Sequence, residues 1–197
     1  MNNKSTEGLS RRDFAKASAL AAGFAILSGK SGVAQDTVDT LKIGLIGCGG
    51  PGGGAVVNCL MGNDNVKFVA MADVFEDKLK ARRDDLRNNK HPKVQPKIDI
   101  QDDMCFTGLE AYKQLLATDV DIVIHATPPY ARPMHMEAIV EAGKHAFIEK
   151  PLAVDPTGIR RCIAAAKKAE EKKQVIVTGP QRRHQTSYMD TIKKLQD

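Results

Sequence analysis

The feature that most constrains the fold of this chain is a glycine-rich stretch, LKIGLIGCGGPGGG, at residues 41–54. Gly47, Gly49 and Gly52 have G-x-G-x-x-G spacing and follow a short apolar segment typical of a buried strand. The apolar run after the glycines predicts a helix, and Val66–Asp73 predicts a second strand that ends in an acid. A strand, a glycine turn, a helix and a second strand within about 30 residues indicate a dinucleotide-binding βαβ unit.

Each glycine of this unit has a predicted role in holding a pyrophosphate. Gly47 permits a tight turn, Gly49 and Gly50 let a phosphate approach the backbone, and Gly52 lets the helix pack close to the strand. The helix N-terminus adds free N–H groups and about half a positive charge. Asp73, 21 residues after Gly52, can accept hydrogen bonds from an adenosine ribose. The alternative is a glycine-rich loop with a purely structural role.

The rest of the chain alternates predicted strands and helices. Further strands are predicted over residues 104–107, 121–126, 144–148 and 174–178, and helices from Ala55, over 75–89, 109–117, 130–143, from 155 and from about 187. The polar stretch Lys90–Asp103 is predicted to be a surface loop. Asp155 is predicted to cap the helix that follows it, and that helix is expected to bury Ile159, Cys162, Ile163 and Ala166. This alternation predicts an α/β fold with a doubly wound parallel sheet, the Rossmann architecture. We assign residues 41–180 to this dinucleotide-binding domain and residues 181–197 to the start of a connection beyond it.

Ligands of such sheets bind beyond the carboxyl ends of the strands, near the point where strand order reverses. Five segments follow predicted strands and are therefore expected at one edge: Gly47–Gly52, Asp73, Thr127–Pro129, Glu149–Pro151 and Gln181–His184.

Lys150 is the main candidate for catalysis, since it follows a central predicted strand in a Glu-Lys-Pro turn. Its ammonium can donate a hydrogen bond to a substrate hydroxyl and stabilise the alkoxide that forms as a hydride leaves. The alternative is a surface Glu-Lys pair in a turn. His184, after the last strand, is a second candidate, whereas His125, His135 and His145 are predicted to be structural. No cluster has metal-ligand spacing, so no metal site is predicted.

The N-terminus has the three parts of an export signal. Ser10–Lys16 contains twin arginines, Ala17–Leu27 is an apolar run, and residues 32–34 form a small-x-small cleavage site. We therefore predict a twin-arginine signal over residues 1–34, a linker over residues 35–40, and a periplasmic or otherwise exported location reached through the twin-arginine machinery. This route exports folded proteins, which suits a cofactor loaded in the cytoplasm. The alternative is a cytosolic amphipathic helix.

The basic character of the chain derives partly from this signal. The formal net charge is +5, and residues 1–34 contribute five Lys or Arg and two Asp or Glu, so their removal leaves +2. The charge therefore does not predict a nucleic-acid partner.

Four segments resemble the glucose-fructose oxidoreductase / inositol dehydrogenase (Gfo/Idh/MocA) family, with Glu-Lys-Pro as the most specific mark. They are Gly47–Gly52, Ala126–Pro129, Glu149–Pro151 and Gly179–His184. The resemblance, from about Leu41 to Asp197, implies a Rossmann domain that binds NAD or NADP, followed by an α/β domain that shapes a sugar site and often an oligomer interface.

The resemblance also implies residue roles. It places Lys150, with Glu149 of the same motif, beside substrate and nicotinamide, and it places Thr127 and Pro128 along the cofactor. The implied activity is an exported NAD(P)-dependent oxidoreductase acting on a sugar, polyol or glycoside hydroxyl. The alternatives are an NAD-dependent glycosidase that uses transient oxidation and elimination, and a non-catalytic dinucleotide-binding module.

Two further expectations concern the cofactor and the length of the chain. Asp73 favours NAD, because a carboxylate repels the 2′-phosphate of NADP, and Arg82 and Arg83 are expected to lie too far along their helix to reverse this. The chain ends at Asp197 inside a predicted helix, where the family's second domain would begin. We therefore expect a fragment that lacks the family's usual catalytic histidine and acid, and a homo-oligomer for the full-length protein.

Overall fold

The computed structural model describes residues 40–196, so the predicted signal and residues 35–39 of the predicted linker lie outside the described residues. Within this range the strands are β1 (Leu41–Ile46), β2 (Val66–Asp73), β3 (Cys105–Thr107), β4 (Ile122–His125), β5 (His145–Ile148) and β6 (Ile176–Thr178). The helices are α1 (Gly50–Gly62), α2 (Glu76–Arg87), α3 (Ala111–Leu116), α4 (Arg132–Glu141), α5 (Pro156–Glu171) and α6 (Thr186–Gln196). Short 3-10 turns occupy Gln95–Lys97, Asp102–Met104 and Gln181–His184.

All the strand pairs are parallel, and the order across the sheet is β3-β2-β1-β4-β5-β6. The order reverses between β1 and β4, where Ile46 of β1 lies between Ala72 of β2 and His125 of β4. This arrangement confirms the predicted doubly wound parallel sheet.

Apolar side chains cover both faces of the central strands. Ile43 and Leu45 belong to a core formed with α1 and α2, whereas Ile46 belongs to a second core formed with α3, α4 and α5. Because successive strand residues point to opposite faces, burial on both faces requires an uninterrupted apolar run. This explains why the fully buried part of β1, Ile43–Ile46, contains no charged or polar side chain.

The first helix begins earlier than the sequence predicted. We expected a helix from Ala55, but α1 begins at Gly50 and includes residues 50–54 of the glycine-rich stretch. A Cβ atom on Gly52 would lie 2.2 Å from the carbonyl oxygen of Gly47, so this part of the helix packs directly on the preceding turn. Tertiary packing here overrides the low helix propensity of glycine.

The buried face of α5 also differs from the prediction. Ile159, Ile163 and Ala166, expected in the core, are exposed. Cys162 is buried as predicted, and the other buried positions are Gly158, Ala165 and Ala169. A Cβ atom on Gly158 would lie 2.8 Å from the Ala153 side chain and 3.1 Å from that of Pro133, so close packing at this glycine sets the face.

Lys90–Asp103, predicted to be a surface loop, is anchored to the sheet. The Asp99 N–H donates to the Phe68 carbonyl at 2.9 Å, and Val94 is fully buried. Among the helices of residues 40–196, none is long and apolar enough to cross a membrane.

Candidate functional site

The five segments predicted to share an edge directly follow β1, β2, β4, β5 and β6. Because these strands are parallel, the segments lie at the carboxyl edge of one sheet, as predicted. A cavity of about 750 Å³ opens there beside the reversal of strand order. Its lining includes Gly47, Gly49, Asp73, Thr127, Pro128, Arg132 and His135.

The glycine turn, residues 47–52, is tightly packed against backbone atoms at Gly47 and open at Gly50. Gly47 has a φ of +97°, and a Cβ atom there would lie 2.7 Å from the backbone of Ala126 and Thr127. By contrast, a Cβ atom on Gly50 would meet nothing within 4 Å. The protein interior therefore requires glycine at Gly47, and open space for a ligand remains around Gly50.

The same turn presents backbone donors. Among residues 40–196, no protein acceptor receives the N–H groups of Gly49, Gly50 or Gly52. Pro51 contributes no N–H, so three donors surround the N-terminus of α1. Unpaired N–H groups at a helix N-terminus bind anions such as phosphate, and the absence of side chains permits close approach. The turn therefore fits the pyrophosphate of a dinucleotide.

Asp73, at the end of β2, is held by backbone amides. Its Oδ2 accepts from the Cys48 N–H at 2.6 Å, and its Oδ1 accepts from the Phe75 N–H at 2.9 Å. Each carboxylate oxygen can accept a further hydrogen bond, so the group is fixed in place and can still receive ribose hydroxyls.

Arg82, expected to lie too far along its helix to reverse the preference for NAD, reaches the glycine turn. Its Nε donates to the carbonyl oxygen of Cys48 at 3.2 Å. Its guanidinium covers Gly53, where a Cβ atom would lie 2.5 Å from the guanidinium carbon. Arg83, the next residue, instead contacts Asp84 and Asp102 and does not approach the turn. Because Gly53 has no side chain, the Arg82 side chain can extend over it to the Cys48 carbonyl.

A buried polar network lies behind Thr127. His125 Nε2 is 2.8 Å from Thr127 Oγ1 and 3.0 Å from His135 Nδ1, and the His135 ring stacks on Tyr112 with centroids 4.2 Å apart. Burial lowers the pKa of His125 well below its usual range, and His135 and Arg132 lower it further. Burial also lowers the pKa of His135 to about 4. Both rings are therefore neutral at pH 7, consistent with their predicted structural roles.

Arg132, at the first residue of α4, joins two of the strand-end turns. It is 6% exposed, its Nε donates to the Thr127 carbonyl at 2.8 Å, and its Nη1 donates to the Pro151 carbonyl. Burial lowers its pKa, an effect that the Glu149 carboxylate opposes. Arg132 thus ties the turn after β4, in the cavity wall, to the turn that carries Lys150.

The two residues predicted to act on the substrate, Lys150 and His184, do not line the same cavity. Lys150 is exposed, lies outside the lining of the large cavity, and its ammonium has no hydrogen-bond partner among residues 40–196. Glu149 and His184 line a second cavity of about 620 Å³, with α1 residues such as Cys59. The structure therefore brings together the residues predicted for the adenosine and phosphate groups, and leaves Lys150 outside the large cavity and His184 in the lining of the second. Among the residues described, no cluster of histidine, cysteine or acidic side chains could hold a metal ion.

Comparison with known proteins identifies the family to which the chain belongs. Residues 41–185, well over half of the chain, match the sequence model of a family described as "Oxidoreductase family, NAD-binding Rossmann fold". The chain belongs to the Gfo/Idh/MocA oxidoreductase family. The chain thus has the NAD-binding Rossmann fold of the Gfo/Idh/MocA proteins.

Three relatives illustrate the range of the Gfo/Idh/MocA family. "Glycosyl hydrolase family 109 protein 2" of Shewanella sp. (strain ANA-3) is 33% identical over 166 residues, which cover 74% of this chain and 34% of that protein. Inositol 2-dehydrogenase of Klebsiella pneumoniae (strain 342) is 26% identical over 80% of this chain and 42% of its own length. A structure of scyllo-inositol dehydrogenase from Lactobacillus casei, with bound NAD(H) and scyllo-inositol, superposes with a TM-score of 0.60 at 21% identity, covering 80% of this chain and 41% of that one. The chain therefore spans about a third to two fifths of the length of these relatives.

Two residues with clear contacts at the site, Arg82 and Arg132, were missed by the sequence analysis. Arg82 was considered only for its effect on the NAD preference, and Arg132 was not considered because it lies in a helix rather than directly after a strand. A signal for Arg132 was present: an arginine five residues after Thr127, at a predicted helix start, can turn back towards the carbonyl of the preceding turn.

Proposed function

We propose that the chain is the dinucleotide-binding part of an exported NAD-dependent oxidoreductase that transfers a hydride between nicotinamide and a sugar, polyol or glycoside hydroxyl. The observation that carries this proposal is the Arg132 link. It fastens the Lys150 turn to a cavity whose other walls are the glycine turn and Asp73. A Lys next to a dinucleotide cavity suits the oxidation of an alcohol. The names of the inositol dehydrogenases support a polyol-like substrate.

The proposed chemistry assigns distinct tasks to the protein groups. Bound NAD supplies the hydride acceptor. The donors of the glycine turn and the Asp73 carboxylate hold the two phosphates and the ribose in place. The Lys150 ammonium donates a hydrogen bond to the substrate oxygen, which gains negative charge as the C–H bond breaks. His184, exposed beside Glu149, is the candidate within this chain to accept the hydroxyl proton.

The test is NADH formation by the full chain with NAD and a panel of inositols, sugars and glycosides. We expect Lys150→Met to lower turnover by about 100-fold or more, within the range for loss of one acid–base group, and to leave NAD affinity unchanged. Lys167→Met, which removes an exposed lysine of α5, is the matched control. Equal activity of the Lys150→Met and Lys167→Met variants would remove Lys150 from the mechanism.

A second candidate function is supported by the glycosyl hydrolase family 109 names of several relatives. Under this alternative the same site oxidises a glycoside transiently, eliminates the aglycone, adds water to the unsaturated sugar and returns the hydride. Chromogenic glycosides separate the two functions: release of the aglycone without net NADH favours the glycosidase, and net NADH favours the dehydrogenase. Bound NAD without turnover of any substrate favours the non-catalytic alternative.

The cofactor preference is proposed from Asp73. We expect tighter binding of NAD than of NADP, because the carboxylate accepts from the 2′-hydroxyl and repels a 2′-phosphate. Asp73→Asn should narrow the difference by weakening NAD binding and improving NADP binding. Titration of the unaltered chain and of the Asp73→Asn variant with NAD and with NADP measures the four Kd values. Tighter binding of NADP than of NAD by the unaltered chain would contradict the proposal.

The proposed location and assembly rest on the sequence. Twin arginines at Arg11 and Arg12 favour export of a folded, NAD-loaded protein through the twin-arginine machinery. Replacing both with lysine should keep the protein in the cytoplasm, as fractionation of expressing cells would show. For the whole protein we also propose homo-oligomerisation.

A further inference from the structure

Arg82 contacts the glycine turn from an unexpected direction. It projects from the middle of α2, its side chain is 24% exposed, and its ion-pair partner Asp85 is a largely exposed group 3.4 Å away. An ion pair with a solvent-exposed carboxylate contributes little. The contact that distinguishes Arg82 is the hydrogen bond from its Nε to the Cys48 carbonyl.

Cys48 is consequently held on both sides of its backbone. Its N–H donates to Asp73 Oδ2 at 2.6 Å, and its carbonyl accepts from Arg82 Nε at 3.2 Å. The Cys48 side chain is buried and contributes a weak hydrogen bond to the Ala72 carbonyl. Two side chains from different elements therefore fix the orientation of one turn residue.

This fixation determines where the next donor points. The peptide bond between Cys48 and Gly49 is trans, so the Cys48 carbonyl and the Gly49 N–H point in opposite directions within one plane. Arg82 draws the carbonyl towards α2, and the N–H of Gly49, a residue of the cavity lining, then faces away from α2. If this plane rotated, a carbonyl oxygen would meet a phosphate oxygen in place of a donor.

We propose that Arg82 is a positioning residue for the pyrophosphate, which acts by fixing the peptide plane between Cys48 and Gly49 rather than by touching the ligand. The inference depends on dinucleotide binding, and it is independent of the sugar chemistry proposed above. Its effect should appear with ligands that carry a pyrophosphate and be absent with those that do not.

The test compares ADP with adenosine as ligands of the full chain, by calorimetric titration. We expect Arg82→Gln to raise the Kd of ADP by about 5- to 20-fold, the size of one or two hydrogen bonds, and to change that of adenosine by less than about twofold. Arg83→Gln is the matched control, because it removes the adjacent arginine of the same helix, which does not contact the turn. This control should leave both Kd values within about twofold of the unaltered chain.

Gly53→Ala provides an independent variant that keeps the arginine. The new methyl group would lie 2.5 Å from the guanidinium carbon and Nε, and it should displace this flexible side chain while favouring the helix. It should weaken ADP binding as Arg82→Gln does, and the double variant should be no weaker than either single variant.

Three results would overturn the inference. An unchanged ratio of the ADP and adenosine Kd values in both variants would reduce Arg82 to a structural role. A shallower salt dependence of ADP binding in Arg82→Gln would indicate direct contact between the guanidinium and a phosphate. Additive losses in the double variant would show that Gly53 and Arg82 act separately. Failure of the unaltered chain to bind ADP would instead count against the dinucleotide site as a whole.

Discussion

Gly47 shows how one residue can be specified by a distant part of the chain. Its φ of +97° suits the tight turn that the glycine spacing predicted. The backbone that crowds its α-carbon belongs to Ala126 and Thr127, at the end of β4. The local pattern therefore predicted the turn, but the strand that makes glycine obligatory became evident only in the folded sheet.

Gly47→Ala should be strongly destabilising. A positive φ costs a residue with a side chain about 1–2 kcal/mol, and the backbone contact at 2.7 Å adds to this. We expect a loss of at least about 2 kcal/mol in unfolding free energy, measured by urea denaturation, together with loss of NAD binding. Gly54→Ala, in α1 with no atom near its added methyl group, should be neutral or stabilising by up to about 1 kcal/mol. Similar stability losses in the two variants would contradict this account.

Site residues at the ends of strands could be predicted from the order of strands and helices along the chain. Site residues whose contacts depend on how far a side chain extends could not. Asp73, Thr127 and Lys150 follow strands, and the rule for parallel sheets places all three at one edge. The contacts of Arg82 and Arg132 depend on how helices pack and on the space left beside Gly53 and Thr127. No local sequence pattern specifies such distances.

At the scale of elements, α5 gives one confirmed and one wrong prediction. Asp155 was predicted to cap the helix, and its Oδ1 accepts from the Gly158 N–H at 2.6 Å. The buried face was wrong, because apolarity favoured Ile159 and Ile163 whereas the close packing at Gly158 turned the small residues inward. A capping motif involves residues close together in the sequence and can be recognised there, whereas the buried face of a helix depends on the neighbouring helix.

Replacement of the cap should therefore have a defined cost. Asp155→Ala should lower the unfolding free energy by about 1 kcal/mol, because an N–H at the start of α5 loses its acceptor. Thermal or urea unfolding measures the change. Asp190→Ala, an exposed aspartate of α6, is the control and should change stability by less than about 0.5 kcal/mol. Equal effects would mean that charge, rather than capping, explains the loss.

The histidine pair joining β4 to α4 should make stability depend on pH. In the folded chain the pKa of His135 is about 4 and that of His125 lies well below its usual range, whereas both rings bind protons near pH 6.5 when unfolded. The unfolded state therefore binds more protons below about pH 6.5, and stability falls as the pH decreases from there towards 4. The expected slope is about 1.4 kcal/mol per pH unit for each histidine.

Urea denaturation between about pH 7.5 and 5 tests this dependence. His135→Phe retains a ring to stack on Tyr112 and removes one titrating group, so the slope should fall by about half. Ser187→Ala, an exposed position without a titrating group, should leave the slope unchanged. A slope that is the same in all three proteins would exclude the buried pair as its source.

At the scale of the whole molecule, the alternation of strands and helices was sufficient to predict the sheet. Parallel strands joined by right-handed crossovers allow few topologies, and the observed order is the doubly wound one. Exposed apolar surface was expected from the sequence, but the residues that form it were not identified. Exposed apolar residues of α6 are Met189, Ile192 and Leu195, and those of β6 and the position before it are Val177 and Val175.

This surface should cause self-association of the chain. An exposed apolar face of this kind favours contact with another molecule. We expect light scattering after size-exclusion chromatography to show dimers or larger species, and the double variant Ile192→Glu, Leu195→Glu to shift the population towards monomer. Lys167→Glu, a surface change on α5, is the control. A monomeric unaltered chain would contradict the expectation.

The order of the strands also has a consequence for how such proteins can be recombined. Residues 41–107 form β1 to β3 with the glycine turn and Asp73, and residues 122–178 form β4 to β6 with Thr127 and Lys150. Within the sheet the two stretches meet along the β1–β4 pairing, which consists of four residue pairs. A crossover between relatives within residues 108–121 would exchange the part proposed to select the cofactor and retain the part proposed to contact the substrate. The four residue pairs between β1 and β4 are the main backbone contacts that such a chimera would have to preserve.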